Sequence, residues 1–386
     1  MTSNRAGVKK IDVVIGTRPE AIKMAPVVKE LRKRDKFLVR VISTGQHTDM
    51  LRQALSFFEL SPDADLSIMK RVQSLDYITA SVIAGVGELF DSGCPDAVLV
   101  HGDTTTTFAA SLAAFHRQIP IGHVEAGLRS FDMNLPFPEE MNRTLTDRIA
   151  HWLFAPTEMA ARNLRRERPS EKNMYVTGNT VIDALYSALD IVEGAAWASA
   201  SPALSGLEDS PFILMTAHRR ESWGEPMERI CRALSEILRR HEGTRALVPM
   251  HKNPAVRDTM KKILGDNDRV VLCDPLDYPD FVRALKRCKI ILSDSGGVQE
   301  EASALGKPVI VLRGVTERPE AVESGTAIIA GTRTRNIVNA ADRLLSDEEE
   351  YRRVEEKKNK NPFGDGTASV RIADILEKNF ARSVVY

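Results

Sequence analysis

The apolar positions of this chain switch period again and again. Short β-rich runs occur at Ile11–Ile15, Val39–Ile42, Ala97–Val100, Ile119–Val124, Trp152–Ala155, Phe212–Thr216, Ala246–Met250, Val270–Cys273, Ile290–Leu292, Val309–Leu312 and Ala327–Ala330. Stretches with helical spacing separate most of them, among them Ala21–Arg34, Asp76–Phe90, Met227–Arg240 and Ala255–Leu264. Near-continuous apolar strands alternating with amphipathic helices predict parallel sheets covered on both faces. A barrel or two open, doubly wound sheets would both fit. Residues 194–211 (GAAWASASPALSGLEDSP) are small, Pro-containing and aperiodic, which reads as a linker or a loop between domains. Each flank then carries about half the strands, so two Rossmann-like lobes with a cleft between them are expected. The charged run Asp347–Lys358 reads as a solvated helix face, and Ala368–Phe380 regains helical spacing and could cross back to the first lobe.

Composition narrows the function. The 386 residues are 43% hydrophobic and 27% charged, with Lys plus Arg equal to Asp plus Glu at 53 each. That is globular composition without the basic excess of a nucleic-acid or membrane-surface binder, so neither partner is expected. An anionic ligand must therefore be held by a local site. Cys94, Cys231, Cys273 and Cys288 form no C-x-x-C pair and read as buried free thiols, and the N-terminal MTSNRAGVKK has no apolar core of a signal peptide. A cytoplasmic protein is expected. There is no G-x-G-x-x-G, no G-x-x-x-x-G-K-[ST] and no zinc-spaced Cys/His set. Neither a metal nor a nicotinamide cofactor is expected.

In open α/β sheets ligands lie beyond the carboxyl ends of the strands, so the residues after each apolar run are the informative ones. Gly16-Thr17-Arg18-Pro19-Glu20-Ala21-Ile22-Lys23 joins a glycine, cations and a Pro-started helix, which suits an anionic group, although Arg18 could also pair with Glu20. His101-Gly102-Asp103-Thr104-Thr105-Thr106-Thr107 follows another strand; an N-cap explains one of these residues and leaves Asp103 to be accounted for. Glu125 and the pair Glu139-Glu140 arrive on the same lobe edge. Clustered carboxylates suit general acid–base work, because repulsion and burial drive their pKa values apart. One of Glu139 and Glu140 could equally decorate a helix start. In the second half, Ala217-His218-Arg219-Arg220-Glu221-Ser222, Ser293-Asp294-Ser295-Gly296-Gly297-Val298-Gln299-Glu300-Glu301 and Thr316-Glu317-Arg318-Pro319-Glu320 set cations and consecutive glycines at strand ends. Backbone N–H groups at such a helix start can cradle phosphate, and Glu301, a turn further in, can take two ribose hydroxyls.

Together with Thr44-Gly45-Gln46-His47 and His123-Val124-Glu125-Ala126-Gly127-Leu128-Arg129, these segments resemble, in order from about Val13 to Arg353, the motif series of the non-hydrolysing UDP-N-acetylglucosamine 2-epimerases. The resemblance implies a glycosyltransferase-B-like fold: a first lobe of residues 1–175 joined by a returning helix at 367–386, a second lobe of 176–366 that binds UDP, and an active site between them. It also implies a homodimer that interconverts UDP-N-acetylglucosamine and UDP-N-acetylmannosamine for cell-surface polysaccharide synthesis. Asp103, Glu125 and Glu139 would form the acid–base set, with His218 aiding catalysis or holding the diphosphate. Arg18, Lys23, His218, Ser295, Gly296, Gly297 and Arg318 would hold the diphosphate, Glu301 the ribose, and Leu276 and Phe281 the uracil.

Some members of that family are activated by their own substrate. Gln46 and His47 match the residues concerned and His251 is compatible, whereas Val72 and Ser222 depart from the pattern. Three alternatives share the same cleft: a hydrolysing epimerase releasing N-acetylmannosamine and UDP, a glycosyltransferase, and an inactive nucleotide-sugar sensor. The last would be expected to lack one of the acids, and all three are present.

Overall fold

The computed structural model describes residues 7–45, 48–70, 73–194, 201–207 and 210–382, with the side chains of 48–50, 220 and 382 left undescribed. The chain divides into two compact units. Residues Met1–Ala184 and Gly364–Tyr386 form the first, and Leu185–Phe363 the second. The division falls inside the helix Thr180–Glu193, later than the expected 175 and ahead of the small-residue segment 194–211. The described residues 201–207 of that segment belong to the second unit, where Ser201 donates its N–H to Asp280 at 2.9 Å. An apolar helix carries the chain across this division.

The first unit holds seven parallel strands: β1 (Lys9–Ile15), β2 (Phe37–Ser43), β3 (Ala64–Asp65), β4 (Ala97–His101), β5 (Ile121–Val124), β6 (Trp152–Ala155) and β7 (Met174–Val176). Their order is β3-β2-β1-β4-β5-β6-β7. The two short edge strands, β3 and β7, have no counterpart in the sequence reading, because two or three residues carry no periodicity. On one face Val14, Ile42, Val98 and Val100 pack with Val82, Val86 and Phe90 of the helix Leu75–Gly93 and with Ala109, Ala110 and Ala113 of the helix Thr105–Phe115. Each fully buried valine there contributes about 1.5–3 kcal/mol relative to exposure. The closing helix Ala368–Arg382 belongs to this unit. Its Phe380 meets Phe37 and Trp152 edge-on, with ring centroids 6.3 and 5.6 Å apart, and Asp374 pairs with Arg34 at 2.7 Å.

The second unit repeats the plan with six parallel strands: β8 (Phe212–Thr216), β9 (Arg245–Pro249), β10 (Val270–Cys273), β11 (Ile290–Ser293), β12 (Val309–Val311) and β13 (Ala327–Ile329). The order is β10-β9-β8-β11-β12-β13. The charged run becomes the helix Glu348–Glu355, which is solvated except for Tyr351 and Val354; those two join the core. All four cysteines are free. Cys231 and Cys288 are buried and their thiols pushed up to about 12 by burial, but Cys94, expected inside, is exposed. It caps a helix in the left-handed conformation, past the last apolar position.

Both sheets reverse direction once, between β1 and β4 in the first unit and between β8 and β11 in the second. Such switch points open a crevice beyond the carboxyl ends of the strands. Most loops carrying the candidate chemistry follow these four strands, with Glu125 after β5, Leu276 and Phe281 after β10, and Arg318 after β12.

Candidate active site

At the first switch point, Glu20 organises the backbone. It is 1% exposed and accepts the N–H groups of Gly16 (3.0 Å) and Thr17 (2.6 Å) and the hydroxyls of Thr104 (2.7 Å) and Thr107 (3.0 Å). One carboxylate thus joins the loop after β1 to the loop after β4. Thr104 also caps the helix Thr105–Phe115 by accepting the Thr107 N–H, so the threonine run divides into capping and loop-joining roles. Arg18 opens the preceding helix and is half-buried.

The three acids expected to act together meet different surroundings. Asp103 pairs with Arg143 at 2.8 Å, and Asn142 donates to its backbone carbonyl at 3.0 Å. Burial raises the Asp103 pKa against the pull of Arg143, and the charges of Glu125 and Glu139 raise it further; the side chain is still 30% exposed. Glu125 adopts a positive φ of 67° and is 8% exposed. Its Oε2 receives Lys23 Nζ at 2.5 Å and Asn179 Nδ2 at 2.8 Å, donors that favour the carboxylate form. Lys23, expected on a diphosphate, pairs here with an acid. Beside them His101, 3% exposed, has its Nε2 3.7 Å from Glu125 Oε2 and without a hydrogen-bond partner among the described residues. Burial lowers its pKa to about 3, so it is neutral at pH 7.

Glu139 and Glu140 are adjacent in sequence and separate in role. Glu140, 1% exposed, accepts the N–H groups of Ser130 and Phe131 at 3.0 Å each and so shapes the preceding loop. Glu139 keeps a buried Oε2 that meets no donor among the described residues. A loop-holding carboxylate and an uncommitted one are thus told apart by their partners.

At the second switch point the organiser is Asp294, fully buried, whose Oδ2 accepts the N–H groups of His218 and Arg219 at 2.9 Å and the Ser222 hydroxyl at 3.1 Å. The His218 ring stacks on His251 with centroids 5.9 Å apart, and its Nδ1 lies 3.2 Å from Asp294 Oδ1. Burial, with the charges of Arg219 and His251, lowers the His218 pKa against the pull of Asp294, which favours the neutral ring. The helix Gly296–Leu305 starts at Ser295 without a side-chain cap. A Cβ on Gly297 would meet nothing within 4 Å beyond its own helix backbone and chain neighbours, and the atoms nearest one on Gly296 would be those of the Arg318 guanidinium and Glu317, at 3.8 Å or more. Packing does not demand these glycines. They leave bare backbone at a helix N-terminus beside a cation, the arrangement that favours phosphate. Arg318 is held there by the buried Glu300 and donates to the Glu317 carbonyl at 3.2 Å. Glu301 is 6% exposed and receives the Tyr278 hydroxyl at 3.1 Å; Leu276 and Phe281 flank Tyr278 in sequence and are buried and half-buried.

Gln46, His47 and Val72 lie outside the described residues, and His251 is exposed. Sequence reasoning did not single out Lys23 as the partner of Glu125, nor Arg143, Asn179 or Asp294 as supports. Asp294 stands inside a quoted motif and Arg143 lies one turn beyond Glu139, but nothing in the chain order signals Asn179. Among the described residues no group of three His, Cys, Asp or Glu is placed to hold a metal, and no helix is long and apolar enough to cross a membrane.

Comparison with known proteins agrees with this arrangement. The family model described as UDP-N-acetylglucosamine 2-epimerase matches residues 29–377. The UDP-N-acetylglucosamine 2-epimerase of Yersinia pestis is 48% identical over 373 residues, covering 96% of this chain and 99% of that one, and that of Bacillus subtilis is 49% identical over 367 residues, covering 95% and 94%. The crystal structure of the Neisseria meningitidis UDP-GlcNAc 2-epimerase bound to UDP-GlcNAc is similar at a TM-score of 0.89 and 45% identity, over 96% of this chain and 100% of that one. The family model over residues 29–377 and identities of 48–49% across at least 95% of the chain, on a fold of two parallel sheets, show that the chain belongs to the UDP-N-acetylglucosamine 2-epimerase family.

Proposed function

We propose that the protein interconverts UDP-N-acetylglucosamine and UDP-N-acetylmannosamine without hydrolysis, eliminating UDP and adding it back. The observation that carries this reading is the clustering of Asp103, Glu125 and Glu139 in unlike electrostatic settings at one sheet mouth. The hydrogen on C2 of the sugar is not adjacent to a carbonyl, so its direct removal as a proton is far too costly at neutral pH. Breaking the C1–O bond first sends its electron pair to the UDP oxygen. Positive character at C1 then lets a carboxylate remove the C2 proton, and the C2–H electron pair becomes the C1=C2 bond of a 2-acetamidoglucal. Protonation of C2 from the other face, with return of UDP to C1, gives the epimer. Two faces require an acid and a base on opposite sides, which a set of several carboxylates can supply.

The second unit supplies the leaving-group site. His218, Ser295, Gly296, Gly297 and Arg318 hold the diphosphate and stabilise the charge that develops as the bond breaks. Glu301 holds the ribose, and Leu276 and Phe281 flank the uracil. Lys23 acts through Glu125. A homodimer is the assembly the family resemblance implies.

The test is to incubate the protein with UDP-N-acetylglucosamine in D₂O, with no nicotinamide added, and to follow proton NMR. UDP-N-acetylmannosamine with deuterium at C2 is the expected product. Free N-acetylmannosamine with stoichiometric UDP would instead assign the hydrolysing reaction.

A further inference from the structure

Beneath the acid set lies a buried chain of ionic side chains that the reaction scheme does not use. His123, on β5, is completely buried, and both of its ring nitrogens meet acceptors: Nδ1 is 2.6 Å from Asp147 Oδ1, and Nε2 is 2.7 Å from the Gly102 carbonyl oxygen. A carbonyl oxygen only accepts, so Nε2 carries a hydrogen. Asp147 is held as a carboxylate by Arg129 at 2.7 Å, and its Oδ2 also accepts the Gly127 N–H at 3.1 Å. Nδ1 must therefore donate as well, and the ring carries a hydrogen on each nitrogen. Arg129 is closed off on its other side by Glu167 at 2.8 Å, so two cations and two anions balance in the interior.

The two ends of this chain are the two catalytic loops. Gly102 immediately precedes Asp103 and adopts a positive φ of 68°, a conformation that suits glycine. Its N–H donates to the Val124 carbonyl at 2.9 Å while its own carbonyl takes His123 Nε2, so β5 grips this peptide at both ends. Gly127 lies two residues beyond Glu125. Its φ is 87°, and a Cβ there would strike the Ala160 carbonyl and Leu164. Its N–H is fixed by the same Asp147.

We infer that His123, as a doubly protonated ring bridging Asp147 to the Gly102 carbonyl, is a positioning residue that sets the Asp103 loop in register with the Glu125 loop. The inference rests on the epimerase reading, since it assigns a role in placing those acids. A displacement of about 1 Å between acid and base can cost a hundredfold in rate.

Two substitutions separate the two bonds. The amide nitrogen of His123→Gln can reach the place of Nε2 and keep the bond to Gly102, whereas that of His123→Asn reaches only the place of Nδ1 and keeps the bond to Asp147. We expect His123→Asn to lower kcat about 10- to 100-fold with KM changed less than about threefold, and His123→Gln to recover at least about fivefold of the loss. In ¹⁵N-histidine-labelled wild-type protein at pH 7, His123 should show two protonated ring nitrogens. A His123→Gln variant no better than His123→Asn, an unchanged kcat in His123→Asn, or a single protonated nitrogen would each overturn the inference. Wild-type protein that exchanges no C2 hydrogen in D₂O would defeat the epimerase reading itself, an outcome the nitrogen spectrum distinguishes from failure of the bridge.

Discussion

The two units solve the same architectural problem with opposite chemistry. Each is an open parallel sheet with one switch point, and in each a buried carboxylate gathers the two loops that flank it. Glu20 takes two N–H groups and two hydroxyls in the first unit, and Asp294 takes two N–H groups and one hydroxyl in the second. What the organised loops then present differs. The first unit presents Asp103, Glu125 and Glu139, and the second a bare glycine helix start with Arg318 and His218. The fold therefore specifies where a ligand goes, and the residues just past the strands specify what is done to it.

The comparison can be broken most decisively at Asp103. If the first unit performs the proton chemistry and the second only holds UDP, Asp103→Asn should lower kcat by about 10²–10⁴-fold while UDP affinity by calorimetry stays within threefold. Near-normal turnover would remove Asp103 from the mechanism. A sharper version sets neighbours against each other. Glu139→Gln should cost about a hundredfold in kcat with little change in melting temperature. Glu140→Gln should cost about 1–2 kcal/mol in stability, because it turns an amide group toward two N–H donors, and less in kcat per folded molecule. Denaturant titration beside initial rates checks the pair.

In the second unit the expected losses concern binding and stability. Asp294→Ala leaves two N–H groups and a hydroxyl without their shared acceptor, so stability should fall by about 3 kcal/mol and UDP affinity with it. Retained UDP affinity would show that the loop after β8 does not need its organiser. A smaller loss than at Asp294 is expected at Glu317. Burial raises its pKa, but the ion pair with Arg313 at 2.6 Å outweighs this and brings it down to about 2 from an ordinary 4.5. A carboxylate with a lowered folded pKa stabilises above its unfolded value and loses that contribution as pH falls through the folded one. Glu317→Gln should thus be about 2 kcal/mol less stable than wild type at pH 7, with the gap closing from pH 4.5 downward and vanishing near pH 2. A gap that persists at pH 2 would assign the loss to packing.

The apolar runs located eleven of the thirteen described strands, because a strand buried on both faces needs a continuous apolar segment and leaves that mark in the chain. The edge strands Ala64–Asp65 and Met174–Val176 left none, being too short for a period to register. The candidate chemistry was legible for a related reason. A residue just after a buried strand must emerge at the sheet's mouth, so Asp103, Glu125, His218 and the Ser295-Gly296-Gly297 turn could be placed from order alone. Order could not supply partners. That Lys23 reaches Glu125 across 102 positions, that Asn179 joins them, and that Glu139 and Glu140 part company all depend on which side chains the packed sheet brings within about 3 Å. The division between the units falls inside the helix Thr180–Glu193, whose apolar periodicity is continuous across it. Sequence by itself determined the layered α/β plan and the kinds of group at each mouth, since both follow from local periodicity and strand ends. Only the tertiary structure decided which carboxylate receives a lysine, which keeps an oxygen that meets no donor among the described residues and which buried ions hold the loops in place, because those states are set by long-range contacts and by burial.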